Sequence, residues 1–407
     1  MEVQDLCTCL QKLGLQHKSA VSLEQTETDY VMDIAAQTKG GKDSLVAATS
    51  SNHTIRLFSR LSLAETAVLK GHEDVISGIQ FLHSDPDLLL SSSHDKTVRI
   101  WDPRVSSTKE VQLFKAEGQA DCSLLSGGIN ATDRLICAGT EKVSEDVYLL
   151  FWDRRKATLL GCYSESHDDD ITQVVWHPVM DRYVLSGSTD GLLNVFDLVH
   201  KSEDDALMST FNTEATVARA GWCGPDGNRY VYCITHMDTW HVWEYSECDS
   251  IQQIADIKEQ FQGQRKVDYL VDCVQGSAEN DRWFLAAGSH TGQLHLLDLA
   301  STDQVQIVAS LEGGHTDTVR CLHWDQQTET LVTGGEDSLL CLWSPGATGI
   351  SPVDTKQIYC NNTNTEDKSS TKQKQVNPVH SFLFELKHRD REEKNDETEE
   401  GTKMKVQ

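Results

Sequence analysis

The stretch Leu89–Asp102, LLSSSHDKTVRIWD, decides the reading of this chain. Two further segments align with it without gaps: VLSGSTDGLLNVFD at 184–197 and LVTGGEDSLLCLWS at 331–344. In each an Asp stands six residues before an aromatic: Asp95 before Trp101, Asp190 before Phe196, Asp337 before Trp343. A hydroxyl residue stands four before that Asp, namely Ser91, Ser186 and Thr333. Upstream lies a His, at His72, His167 and His315, followed by an acidic run and then alternating apolar residues. Side chains that recur at fixed spacing mark a chain built from repeats of one supersecondary unit.

Weaker copies share the frame. Asn52 pairs with Phe58, Asp146 with Trp152, Met237 with Trp243 and Thr291 with Leu297. The anchors Phe58, Trp101, Trp152, Phe196, Trp243, Leu297 and Trp343 follow one another at 43–54 residues, which makes seven copies. VRIWD, LNVFD and LCLWS read as strands that alternate between inside and outside, with D-K-T, D-G-L and D-S-L as tight turns before them.

A period of about 45 residues with G-H early and W-D late resembles the WD-repeat family. The literal G-H stands at Gly71-His72 and Gly314-His315, and W-D at Trp101-Asp102 and Trp152-Asp153. The resemblance covers roughly residues 15–344 and implies an all-β chain, a seven-bladed WD-repeat β-propeller. It also implies structural tetrads, buried hydrogen-bond chains that tie a blade together. These are His72–Ser91–Asp95–Trp101, His315–Thr333–Asp337–Trp343 and a shortened set in blade four, His167–Ser186–Asp190, where Phe196 has no N–H. Blades one, three, five and six are expected to rely on apolar packing. A His-Ser-Asp set also looks like a hydrolase triad, so a hydrolase is the remote alternative. Its recurrence in several blades argues instead for a structural role and no catalytic residue.

The segments divide as 1–28, an N-terminal segment whose Gly14–Leu23 is a ring-closing strand; 29–344, the propeller; and 345–407, a polar tail expected to be disordered. Within the tail, Phe382, Leu383, Phe384 and Leu386 form one apolar island. No apolar run is long enough for a membrane helix, and the N-terminus lacks the basic-then-apolar pattern of a signal peptide. Twelve scattered Cys without a C-x-x-C suit free thiols in a reducing compartment. An intracellular location, nucleus or cytoplasm, and a monomeric ring are expected. No zinc-ligand spacing and no nucleotide-binding loop occurs, so neither metal nor cofactor is expected.

The formal charge is −27, and residues from Pro345 onward contribute only −1 of it, ten basic against eleven acidic side chains. The acidity therefore belongs to the body of the chain. It disfavours nucleic acid and favours basic protein partners. The repeat frame gathers Glu73, Asp168, Asp169, Asp170, Asp317 and Glu336 on the face made by the His loops and Asp turns, the expected protein-binding face. On the opposite face W-D-P-R and W-D-R-R place Arg104 and Arg155 two residues beyond the Asp. This resembles the motif by which some WD-repeat proteins dock on the adaptor of cullin-4 ubiquitin ligases.

Overall fold

The structure is a computed structural model that describes residues 6–21, 29–37, 44–105, 108–116, 121–224, 229–261, 263–275, 282–299 and 305–347. The segment beyond 347, with its apolar island, lies outside the described residues. Among the described residues the strands form seven antiparallel sheets of four strands each. Blade two, for instance, runs Ile76–Phe81, Leu89–Ser93, Thr97–Trp101 and Gln112–Lys115 in spatial order. Every anchor read from the sequence stands on the third strand of its blade.

The turn before each third strand explains the spacing. The residue after the turn position has a left-handed backbone in six blades: His53, Lys96, Gly191, Asp238, Gly292 and Ser338, with φ between 57° and 86°. In blades one, two, four and seven the connection is three residues long with the left-handed residue last, a turn-and-bulge form that suits the twist of the strands it joins. Blade three makes the same reversal with a longer turn, where Ser144 and Glu145 take positive φ.

The second and third strands do not alternate between core and water, as the sequence suggested. Leu89–Ser93, Leu149–Asp153 and Trp240–Glu244 are buried throughout. Each blade is sandwiched between two neighbours, so both faces of its inner strands are dry, and such strands read as continuous apolar runs. The core accordingly divides into seven clusters, one in each seam between successive blades, including the seam between the seventh blade and the first. Each anchor packs into the seam with the blade before it: Trp101 meets Ile55 and Leu57 of blade one, and Phe58 meets Val332 and Leu342 of blade seven. Seven seams for seven blades close the ring.

The chain's N-terminal strand, Leu13–Ala20, supplies the outer strand of blade seven. It pairs antiparallel with Leu339–Pro345, with Leu15 opposite Trp343. The short helix Leu6–Gln11 before it lays Leu6 and Leu10 into the seam between blades six and seven.

Candidate protein-binding face

In blade two, His72 Nδ1 lies 2.7 Å from Asp95 Oδ2 and Nε2 lies 2.7 Å from Ser91 Oγ, while the Trp101 indole donates to Ser91 Oγ at 2.8 Å. An indole N–H can only donate, so Ser91 Oγ accepts from Trp101, while the two ring nitrogens of His72 link Ser91 to Asp95. Blade seven repeats the geometry: His315 Nδ1 to Asp337 Oδ1 at 3.0 Å, Nε2 to Thr333 Oγ1 at 2.8 Å, and Trp343 Nε1 donating to Thr333 Oγ1 at 2.9 Å. Blade four holds His167 to Asp190 at 3.0 Å and to Ser186 at 2.7 Å. There Asn194, which sequence reasoning overlooked, sits 3.2 Å from His167 Nε2 and donates to the Ser166 carbonyl at 2.7 Å.

These side chains are buried in the blades and fix the loops above them. Burial works against an ionised Asp95, yet hydrogen bonds from His72 and Thr97 hold its carboxyl well below the usual carboxylate range. The same carboxylate accepts the Glu73 amide; Asp190 accepts the Asp168 amide and Asp337 the Thr316 amide. Two residues after each His, Asp74, Asp169 and Asp317 each accept the amide of the next residue. The loops are therefore wired into the blade from below.

The structure separates the six acids grouped by the sequence. Glu73 and Asp168, each one residue after its His, are exposed at equivalent places on one face of the ring; Asp317, two residues after His315, is exposed on the same face, and Asp169 is half-exposed. Asp170 is buried and accepts the Lys142 amide at 2.8 Å. Glu336 is nearly buried and pairs with Arg320 at 2.7 Å. Both acids hold neighbouring segments in place and are not presented to solvent. Their partners come from another blade and from another strand, which the local pattern does not reveal.

On the opposite face, the guanidinium of Arg104 grips its own Asp102 through Nε and Nη2, both at 2.9 Å, and reaches Asp87 at 2.7 Å. Arg155 grips Asp153 in the same way, at 3.0 and 2.7 Å. Arg155 holds the Asp153 carboxyl down to about 2. The two arginine side chains nonetheless remain 56% and 64% exposed.

The remaining blades also use polar contacts where apolar packing alone was expected. Trp240 donates to Gln252 in blade five, and Trp152 of blade three donates to the Lys115 carbonyl of blade two. Neighbouring blades are clasped by Trp176 to the Gly128 carbonyl and Trp222 to the Val175 carbonyl, each at 3.0 Å. Beside the first clasp is a cavity of about 190 Å³ lined in part by Gln80, His83, Ile129 and His177. Asp33 accepts the Ile79 amide of blade two, and burial raises its pKa against the pull of Arg219. Among the described residues no cluster of three or more metal-ligating side chains occurs, and no helix is long and apolar enough to cross a membrane.

The family described as WD domain, G-beta repeat matches residues 64–102, 158–197 and 306–344. Those are the three segments in which the His, hydroxyl and Asp contacts stand together. The chain is a seven-bladed propeller that carries WD repeats. It is similar to a WD repeat-containing protein 89 homolog of Dictyostelium discoideum, 28% identical over 345 residues, which are 84% of this chain and 89% of that protein. It is also similar to the WD repeat-containing protein GTS1 of Arabidopsis thaliana, 29% identical over 82% of this chain and 85% of the relative. An uncharacterized WD repeat-containing protein of Saccharomyces cerevisiae is 26% identical over 72% of this chain and 74% of its own length. These similarities run across most of the propeller and well beyond its three best-matched repeats.

Proposed function

We propose that this propeller is a non-enzymatic protein-binding scaffold that offers basic partners the face carrying Glu73, Asp168 and Asp317. The observation that supports it is the wiring of those loops: their backbone is fixed from inside by the tetrad Asp, while the acidic side chains stay in solvent. Charge held on a preordered loop binds at a smaller entropic cost than charge on a mobile one. The long-range field of a body carrying nearly all of the −27 charge steers cationic partners toward it. The test replaces Glu73, Asp168 and Asp317 together by Lys and titrates a Lys/Arg-rich peptide by fluorescence anisotropy. Binding at least about ten-fold weaker, with a shallower salt dependence, supports the proposal. Unchanged binding by a variant that melts like the wild type refutes it. A serine-hydrolase probe is expected to leave the protein unlabelled.

A second reading rests on the two W-D-x-R arginines, which adjacent blades hold in one conformation on the opposite face. It makes the ring a substrate receptor of a cullin-4 ubiquitin ligase. Replacing Arg104 and Arg155 by Ala then removes co-purification with the ligase adaptor, and an adaptor never recovered with the wild-type protein rejects this reading.

A further inference from the structure

The loops that join the first and second strands of blades two, three and four, 82–88, 130–134 and 177–182, frame the cavity of about 190 Å³. They lie on the face of the W-D-x-R arginines, since Arg104 reaches Asp87 of the first loop. The cavity walls are Ile129, Ala131, Val174 and Trp176, joined by His83 and His177. The three loops are fastened to one another. Asp133 accepts the His83 and Ser84 amides at 2.9 and 2.6 Å, and Asn130 donates to the Asp181 carbonyl at 2.8 Å. The His177 ring meets Trp222 edge-on at 4.7 Å, and its Nδ1 accepts the Val179 and Met180 amides. An incoming group therefore meets a pocket that is already shaped, with mostly apolar walls. Beside it, Val179 and Met180 stand 64% and 51% exposed. His83 Nδ1 faces Asp133 at 3.2 Å, and among the described residues its Nε2 has no hydrogen-bond partner, which leaves the lining one open polar atom.

The charges around this lip are layered. Arg155 and Arg182 are exposed, while the carboxylates they lie on, Asp153 and Asp197, are nearly buried. Arg134, next to Asp133, is exposed and in no ion pair among the described residues. Arg154 donates to the Asp133 carbonyl at 3.3 Å, which sets the W-D-R-R turn beside the second loop. Of the exposed acids on the three loops, Asp85 and Asp87 turn to Arg104, and Asp181 remains. Solvent thus meets guanidinium groups first on this side of a chain whose formal charge is −27. The screening length of about 8 Å at physiological salt lets these near groups, rather than the distant body charge, decide what settles here.

We propose that this side of the ring binds an acidic protein segment, which places one large apolar side chain in the cavity and its carboxylates on Arg134 and Arg182. A cavity of about 150 Å³ with apolar walls takes up benzene, so this one has room for a Phe ring. Val179 and Met180 cover the flanks of that side chain, and His83 Nε2 is open to a polar group of the segment. The ring then carries two binding faces of opposite preference, and this one does not depend on the face of Glu73, Asp168 and Asp317.

The probe is a short dye-labelled peptide with a single Phe among Asp and Glu residues, titrated by fluorescence anisotropy with the full chain at physiological salt. Saturable binding is expected. Replacing the peptide's Phe by Ala weakens it by about ten-fold or more. Ala131→Phe, at a half-exposed loop position that leaves the melting curve unchanged, fills the cavity and weakens it as much. Arg134→Glu combined with Arg182→Glu also weakens it, whereas Arg134→Lys combined with Arg182→Lys retains most of it. A wild type that fails to bind the peptide at its highest soluble concentration overturns the proposal, as does an Ala131→Phe variant that binds like the wild type. Equal binding of a peptide with Lys in place of its acids also overturns it.

Discussion

Arg60 of blade one forms an ion pair with Asp325 of blade seven, and only 7% and 11% of the two side chains remain exposed. Arg60 also donates to the Gln37 carbonyl at 3.1 Å, and Asp325 accepts the Gln327 amide at 3.0 Å. The pair bridges the seam where the first blade meets the last, 265 residues away along the chain. Together with the N-terminal strand it makes that seam doubly fastened.

Removing one partner of this pair leaves the other as an unpaired charge in a dry seam. Arg60→Met is therefore expected to destabilise the ring by about 3–5 kcal/mol in urea unfolding. Pairing it with Asp325→Leu recovers a large part of that loss, because no uncompensated carboxylate remains. A single variant as stable as the wild type shows that water reaches the pair and screens it.

The polar chain of blade two makes a graded prediction. Ser91→Ala strands both the Trp101 indole and His72 Nε2, and is expected to cost about 1–3 kcal/mol. Ser186→Ala in blade four costs less, since no indole depends on Ser186 and Asn194 still stands beside His167 Nε2. Denaturant midpoints of the two variants decide the order. Equal losses show that the indole hydrogen bond contributes little.

Much of this was legible because the repeat writes its geometry into short spacings. Four residues from hydroxyl to Asp and six from Asp to Trp span one strand pair and its turn, so Ser91, Asp95 and Trp101 identify themselves. The fastenings between blades carry no such signature. Trp176 and Gly128, or Arg60 and Asp325, meet only because the ring closes, and nothing near either residue announces its partner. The acidic face shows the same limit. Asp168 and Asp170 look alike in sequence, yet the Lys142 amide of the preceding blade draws Asp170 inside.

The N-terminal strand is expected to be indispensable. Deleting residues 1–21 uncovers the whole length of Leu339–Pro345 as a new edge and withdraws Leu6, Leu10 and Val21 from two seams. Each of those buried side chains is worth about 1.5–3 kcal/mol. The truncated chain should melt many degrees lower and be cut rapidly by protease in blade seven. A truncation that melts with the full-length chain shows that the seventh blade stands on three strands.

Acid should loosen the blades in a way that can be traced to single carboxylates. Asp95, Asp133 and Asp190 are each mostly withdrawn from water, which opposes their ionisation, but hydrogen bonds from His72, His83 and His167 and from backbone amides outweigh burial and depress all three pKa values. A carboxyl with a depressed native pKa binds its proton more readily in the unfolded chain. Its contribution is thus complete above the unfolded pKa of about 3.9 and is lost as pH falls below it through the native value. The share of stability that these three carboxylates supply should hold from neutral pH to about pH 5 and then fall steeply. Asp95→Asn is less stable at pH 7 but follows a shallower acid slope, because one of the linked protons is gone. Urea midpoints collected between neutral pH and about pH 3 measure both curves. Parallel curves for Asp95→Asn and the wild type would show that the Asp95 carboxylate does not drive the acid transition.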